Sequence, residues 1–412
     1  MKLLFVSNLY PPNVVGGYER LCYEIAEALV ARGHEVRILT SNYGEETAEY
    51  PGQQIDRSLK LFADDRNIYR PFSCTAEQRA EWSAQNVAEF HRVVSEFRPE
   101  RIFVWNLYFF DPSLLDAIKA SGIVPVYLLT DNWLIAFLNP KFIEEYMRDR
   151  VFGKDSQHGS PALLERLRIA FGRIPFRLPG HAIFASRFMQ RLYREAGFGF
   201  EGSDIVYHGV HLHPHGGVAR ARDRLRQAGQ LRLLVAGRVV EIKGVHTAVE
   251  ALPAIRAALP NLEVRLSIIG DSQDDAYLKR LCELAEDGGC RDAIEFLPPV
   301  PAADLSALFD AHDIYLFPSL YEPFSLTLIS GLHAGIPTVA SDAGGNIEIV
   351  ADSQTGLQFP RGDAAALAEC VRRLVAEPET RARIAEGGAA RAGQHEFSNM
   401  VAAIELALER AR

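Results

Sequence analysis

Short apolar runs rich in β-branched and aromatic residues alternate with segments of helical period from one end of this chain to the other. An apolar run of four to seven residues with no polar face suits a strand covered on both sides, which is the condition of a parallel sheet between helix layers. In the first half such runs fall at residues 3–7, 35–40, 101–105, 125–129, 182–186 and 204–207. Between the first two, Leu21, Cys22, Ile25, Ala28 and Leu29 recur at helical spacing and Gly33 ends the pattern, giving a strand, helix, strand unit. In the second half the runs fall at 231–236, 264–269, 293–297, 313–317, 338–340 and 356–359. Residues 44–75 read as polar and irregular, and 76–97 as a helix. The pattern predicts an α/β protein built from two doubly wound domains, since 412 residues exceed what one core usually serves.

The expected boundaries are a first domain over 1–210, a linker over 211–230, a second domain over 231–393 and a C-terminal helix over 394–412 that packs back on the first domain. A net charge of −9 argues against a general nucleic-acid surface. Five cysteines without a Cys-X-X-Cys pair read as reduced thiols of a cytoplasmic chain. The N-terminal apolar run is too short for a signal peptide, and no run of about 18 apolar residues follows. Residues 133–176 mix Trp133, Leu134, Ile135 and Phe137 with Lys141, Arg148, Arg150 and Lys154. That segment reads either as a buried helix pair or as a peripheral contact with the inner membrane face.

Several polar residues stand where strands end. Glu322 follows the run 313–317, and Pro323 suits the first turn of a helix with Leu326, Ile329 and Leu332 on its apolar face. The N–H groups of Ser325 and Leu326 would then be free for an anion. Arg238 and Lys243 flank another strand-to-helix turn, where they suit a diphosphate or form a solvated basic loop. Gly16 and Gly17 open the first helix, permitting close approach of a ligand or making a plain tight turn. The loop over residues 8–17 has no Gly-X-Gly-X-X-Gly, so a dinucleotide cofactor is not supported there. Asp131, past the run 125–129, is a helix cap or a functional carboxylate. His208, His211, His213 and His215 are close in sequence but match no zinc spacing, so no metal is expected.

The stretch Glu322-Pro-Phe-Ser-Leu through Gly335-Ile-Pro-Thr-Val-Ala resembles the Glu-X7-Glu signature of the family 4 retaining glycosyltransferases of GT-B fold (glycosyl transferases group 1). The pattern from Tyr10-Pro-Pro through Gly16-Gly17-Tyr18-Glu19 to Gly33-His34-Glu35-Val36 is similar to that family's N-terminus. The resemblance implies two Rossmann-like doubly wound domains facing a cleft. It places Glu322 by the donor sugar, Ser330 where the family has a second, ribose-binding Glu, and Arg238 and Lys243 on the donor pyrophosphate. Phe296 falls at the strand end beside the nucleobase, and Gly16, Gly17, Phe324, Ser325 and Leu326 fall in the donor-binding set. Asp131 takes a catalytic position beside Thr130, which stands where the family commonly has His, and His208-Gly209-Val210 stands for its Asn-Gly-Val.

The function implied is metal-independent retaining transfer of a sugar from a nucleotide-diphosphate donor to a glycan, glycolipid or small-molecule hydroxyl. No cofactor beyond the donor substrate is implied. Two alternatives stand beside it: a donor-binding protein of the same fold without turnover, and a nucleotide-sugar epimerase.

Overall fold

The structure is a computed structural model. It describes residues 1–14, 16–44, 47–63, 73–153, 175–212, 229–272, 274–301 and 304–411. Lys154, His213, His215 and most of the expected linker therefore lie outside the described residues. The described chain divides into two compact units. Residues 1–146, 175–206 and 401–411 form one, and residues 147–153 and 207–400 the other.

The first unit holds a parallel sheet of seven strands: β1 Lys2–Ser7, β2 Glu35–Ser41, β3 Gln53–Leu59, β4 Arg101–Asn106, β5 Pro125–Leu129, β6 Phe176–Phe184 and β7 Phe198–Ile205. Their order is β3-β2-β1-β4-β5-β6-β7, so the winding reverses between β1 and β4. Central β1 pairs Phe5 with Ile38 on one side and with Phe103 on the other, and it is buried from Leu3 onward. The helix Gly17–Ala31 buries Leu21, Cys22, Ile25, Ala26 and Leu29. At the C-terminus Glu405 accepts bonds from Arg32 Nη1 and His34 Nε2, both at 2.7 Å, and Arg101 donates to the carbonyls of Leu408 and Ala411. Residues 401–411 thereby close the first unit.

The structure corrects two expectations in this half and bears on an alternative left open. Within 44–75, expected to be irregular, β3 occupies the sheet edge, where its polar residues remain half-buried and need no apolar alternation. Its Asp56 pairs with Arg37 Nε of β2 at 2.7 Å. Strands β6 and β7 both begin about six residues earlier than expected, over sequence interrupted by Pro179, Gly180 and Gly199. Trp133, Leu134 and Ile135 are buried in the helix Trp133–Leu138, which favours the buried reading for the described part of 133–176.

The second unit is a parallel sheet of six strands: β8 Gln230–Ala236, β9 Glu263–Ile269, β10 Ile294–Leu297, β11 Ile314–Phe317, β12 Thr338–Ser341 and β13 Leu357–Phe359. Their order is β10-β9-β8-β11-β12-β13, with the reversal between β8 and β11. Helices Val245–Ala258, Asp275–Asp287 and Ala364–Ala376 contribute Leu252, Leu281 and Val371 to one core with Leu233, Leu266 and Leu316 of the strands. In such sheets ligands collect beyond the carboxyl ends of the strands at the point of reversal. That rule points to the ends of β8 and β11 in this unit, and of β1 and β4 in the other.

Candidate active site

The residues that follow β8 and β11 line one pocket in the second unit. Val235 to Arg238, Lys243 and Val245 form one wall, and Leu316 to Ser319 with Thr327 form the other. Two glycines let these turns meet. Gly244 has φ +64°, and a side chain there would collide with the Pro318 carbonyl. Leu320 N–H also donates to Ile242 O at 2.9 Å, so the turn carrying Lys243 is fastened to the loop carrying Glu322. Gly270 lies against the Gly237 carbonyl in the same fashion, joining the ends of β9 and β8.

Lys243 Nζ lies 2.6 Å from Glu322 Oε2. Glu322 is 5% exposed and also receives Ser319 Oγ at 3.4 Å. Behind it, Gly345 N–H donates to Glu322 O at 2.7 Å, and side chains at Gly344 or Gly345 would strike the Glu322 and Pro323 carbonyls. The carboxylate is thus held by Lys243 and Ser319, and the backbone that carries it by Gly345 N–H. Arg238, by contrast, is exposed and makes no hydrogen bond or ion pair among the described residues. Two cations and one carboxylate give the pocket a surplus positive charge that suits an anion.

The helix expected to begin at Pro323 instead spans Leu326–His333, with Ser325 as N-cap accepting from Leu328 N–H. Pro323 lies in the loop, because the Ser325 hydroxyl accepts from Leu328 N–H and sets the cap two residues later. The N–H groups of Leu326 and Thr327 precede the helical ladder and have no partner within it. Ser330 turns away from such a role: its hydroxyl donates to Leu326 O at 3.0 Å. Phe324 is buried among rings, stacked on Tyr207 at 5.2 Å. Phe296 sits on β10 at the sheet edge, packed against the core with the Arg291 guanidinium 5.9 Å from its ring. It is not among the residues lining the pocket.

Thr327 was missed from the sequence because it looked like one more position of an apolar helix. Its hydroxyl lies in the pocket wall and bonds Tyr315, whose own hydroxyl reaches Ala236 O at 3.3 Å. Tyr315 thereby ties β11 to the end of β8.

In the first unit, Asp131 and Gly16–Gly17 lie where helices begin beyond strand ends. Asp131 Oδ1 accepts from Trp133 N–H at 2.8 Å, so the capping role considered from sequence is present. Burial pushes its carboxyl up to about 6, with the Trp133 bond pulling it down and the charge of Glu19 adding to the rise. Glu19, 6% exposed, is the acidic neighbour that sequence reasoning did not single out. It sits in the first helical turn and accepts from Gly16 N–H at 2.9 Å; its only sequence signal was its position three residues after the cap. Tyr18 OH donates to Trp105 O and to Leu128 O, the latter at 3.0 Å, and is bonded by Thr130. Gly16 and Gly17 are free of internal crowding, since a side chain at either would meet nothing within 4 Å. Among the described residues no cluster of metal-ligating side chains is found, and His208 is buried among aromatic rings.

The family model described as Glycosyl transferases group 1 matches residues 220–391, and that described as Glycosyltransferase Family 4 matches residues 15–214. D-inositol 3-phosphate glycosyltransferase of Pseudarthrobacter chlorophenolicus is 32% identical over 181 residues, which are 44% of this chain and 43% of that protein. The chain thus matches less than half the length of that relative. Glycogen synthase of Mycobacterium tuberculosis is 26% identical over 408 residues, 93% of this chain and 89% of that protein. Sucrose-phosphate synthase from Thermosynechococcus elongatus superposes with a TM-score of 0.71 at 20% identity, covering 98% of this chain and 97% of the other. Anabaena HepE in complex with UDP and glucose gives 0.67 at 20% identity, over the whole of both chains. These last two are likenesses of fold.

Proposed function

We propose, on the premise that this chain belongs to the family 4, group 1 glycosyltransferases, that it moves a sugar from a nucleoside-diphosphate donor to an acceptor hydroxyl with retention at the anomeric carbon. The observation that carries the reading is the pocket at the reversal of the second sheet, which Arg238, unpartnered among the described residues, and Lys243 both line, with Lys243 paired to Glu322. In the reaction the bond between the anomeric carbon and the diphosphate oxygen breaks and a bond to the acceptor oxygen forms. The departing diphosphate gains negative charge, which Arg238, Lys243 and the N–H groups at Leu326 and Thr327 are placed to stabilise. Two cations and a helix N-terminus would supply the charge a divalent metal would otherwise supply, so we propose metal independence.

Glu322 would sit by the sugar and favour positive charge developing at its anomeric carbon. No protein nucleophile is assigned. Asp131, whose raised pKa suits proton transfer near neutral pH, is the candidate acceptor of the proton leaving the acceptor hydroxyl. The donor class draws support from the UDP and UDP-glucose complexes of the Anabaena neighbour. The relatives are named for compounds as different as D-inositol 3-phosphate and glycogen, so the acceptor is proposed only as a hydroxyl of a glycan, glycolipid or small molecule. No helix of the described residues is long and apolar enough to cross a membrane.

The test is to incubate the purified protein with a panel of nucleoside-diphosphate sugars and acceptors in the presence of a chelator. Transfer with retained configuration supports the reading. A donor bound but never consumed would replace it with the binding-protein alternative, and inversion of the sugar without an acceptor would indicate the epimerase.

A further inference from the structure

Phe324 follows Glu322 by two residues and is 6% exposed, yet it does not join the main core of its unit. Its ring instead stacks on Tyr207 with an interplanar angle of 20°, and lies 5.5 Å from His395 and 5.8 Å from His208. Tyr207 and His395 also touch each other edge to face at 5.8 Å. These three partners come from the two places where the chain passes between units, after Val206 and after Met400.

The two passing segments are joined. Val210 N–H donates to His395 O at 2.9 Å and Phe397 N–H donates to Val210 O at 3.0 Å. A side chain at Gly209 would strike the Glu396 carbonyl and the Phe397 backbone, so the segments approach as closely as backbone allows. Tyr207 OH donates to Glu348 Oε2 at 3.1 Å, and Arg391 Nη2 donates to Glu348 O at 2.7 Å, anchoring both segments to the helix Asn346–Ile349. That helix follows the Gly344–Gly345 turn which supports the Glu322 carbonyl. His208 and His395 each bury an Nε2 that has no hydrogen-bond partner among the described residues. Burial pushes both imidazoles down to about 4, so the rings are neutral near pH 7 and pack as aromatic surfaces.

We propose that Tyr207 and His395 are positioning residues for the Glu322 loop: by clasping Phe324 between the two passing segments, they set where Glu322 stands. This rests on the functional reading above. Aromatic pairs of this geometry hold a loop more rigidly than area burial alone. A displacement of about 1 Å in a group that acts on the reacting atoms can lower turnover about a hundredfold.

The experiment compares wild type with Tyr207→Phe, Tyr207→Ala and Leu281→Ala. The last is a fully buried core truncation on the helix Asp275–Asp287 and serves as the control for lost stability. UDP affinity is read by calorimetry, release of UDP from UDP-sugars by turnover assay, and stability by Tm. Tyr207→Ala should lose at least about tenfold in turnover with UDP affinity within about threefold of wild type, because the misplaced group acts on the sugar and not on the diphosphate. Tyr207→Phe keeps the stacked ring and loses only the bond to Glu348, so it should retain severalfold more turnover than Tyr207→Ala. Turnover in Tyr207→Ala close to wild type overturns the proposal. So does an equal loss in Leu281→Ala at matched Tm, or an equal loss in Tyr207→Phe. Wild-type protein that binds no nucleoside diphosphate and releases none from its sugars counts instead against the functional reading.

Discussion

Lys243 and Glu322, 79 residues apart in sequence, form an ion pair of 2.6 Å in the pocket between β8 and β11. The family resemblance assigns these residues different tasks, one on the diphosphate and one by the sugar. In the structure each is the other's partner, and the pair keeps a nearly buried carboxylate satisfied. A diphosphate entering the pocket must compete with Glu322 for the ammonium.

Removing that competitor should help the nucleotide while harming the reaction. In Glu322→Gln the amide no longer holds Lys243 by charge, and UDP affinity should rise by about three- to tenfold, or about 1 kcal/mol. Sugar transfer should fall by at least about a hundredfold. Calorimetry and turnover on the same preparation check both; weaker UDP binding in the variant would mean that Glu322 supports the diphosphate directly.

Stability should separate the two cations. Lys243→Ala strands Glu322 in a buried position, and a loss of about 1–3 kcal/mol is expected after discounting for the partial exposure of the lysine. Arg238 has no partner among the described residues, so Arg238→Ala should leave Tm within about 1 °C of wild type. Thermal melts without ligand provide the comparison, and equal losses in the two variants would contradict the pairing.

Asp131 predicts a pH dependence whose sign can be worked out. Its carboxyl is raised to about 6 in the folded protein against about 4 unfolded, so the folded state holds more protons between those values. Its contribution to stability therefore improves as pH falls from about 7 through 6 and levels off near the unfolded value. A base must be ionised, so turnover should rise with pH through about 6. Asp131→Asn can still accept the Trp133 N–H, and it should melt at or above the wild-type temperature at pH 7.5, flatten the pH 6 limb and lower turnover about a hundredfold or more. Full activity in the variant would reduce Asp131 to a cap.

Ser330 tests how far the nucleotide pocket departs from the family pattern. Its hydroxyl is spent on Leu326 O within its own helix. Ser330→Glu should tighten UDP binding by about tenfold if a ribose lies within reach, since a carboxylate can accept from both hydroxyls of the diol. Unchanged or weaker binding would show that the pocket recognises the nucleoside by another contact.

The central strands β11 and β12 of the second unit were legible because they are buried on both faces, and β11 reads as an unbroken apolar run over Ile314–Phe317. Edge strand β3 was not, since Gln53–Leu59 keeps polar side chains half-buried at the rim and carries no periodic signal. Arg238 and Lys243 could be placed together from sequence because a single strand-to-helix turn carries both. The ion pair of Lys243 with Glu322 could not, because it depends on β8 and β11 being neighbours, which only the strand order establishes. Glu19 and Thr327 were hidden for a related reason: each looked like an ordinary first-turn helix residue, and its importance comes from Asp131 or Tyr315 on another element.

The most direct measurement is a calorimetric titration of UDP into wild type, Arg238→Ala and Lys243→Ala with chelator present throughout. Each variant should lose about 1.5–3 kcal/mol, roughly ten- to hundredfold in affinity, while wild-type binding persists without metal. Equal affinity in all three proteins, or wild-type binding that appears only when a divalent cation is added, would contradict the seat assigned to the diphosphate.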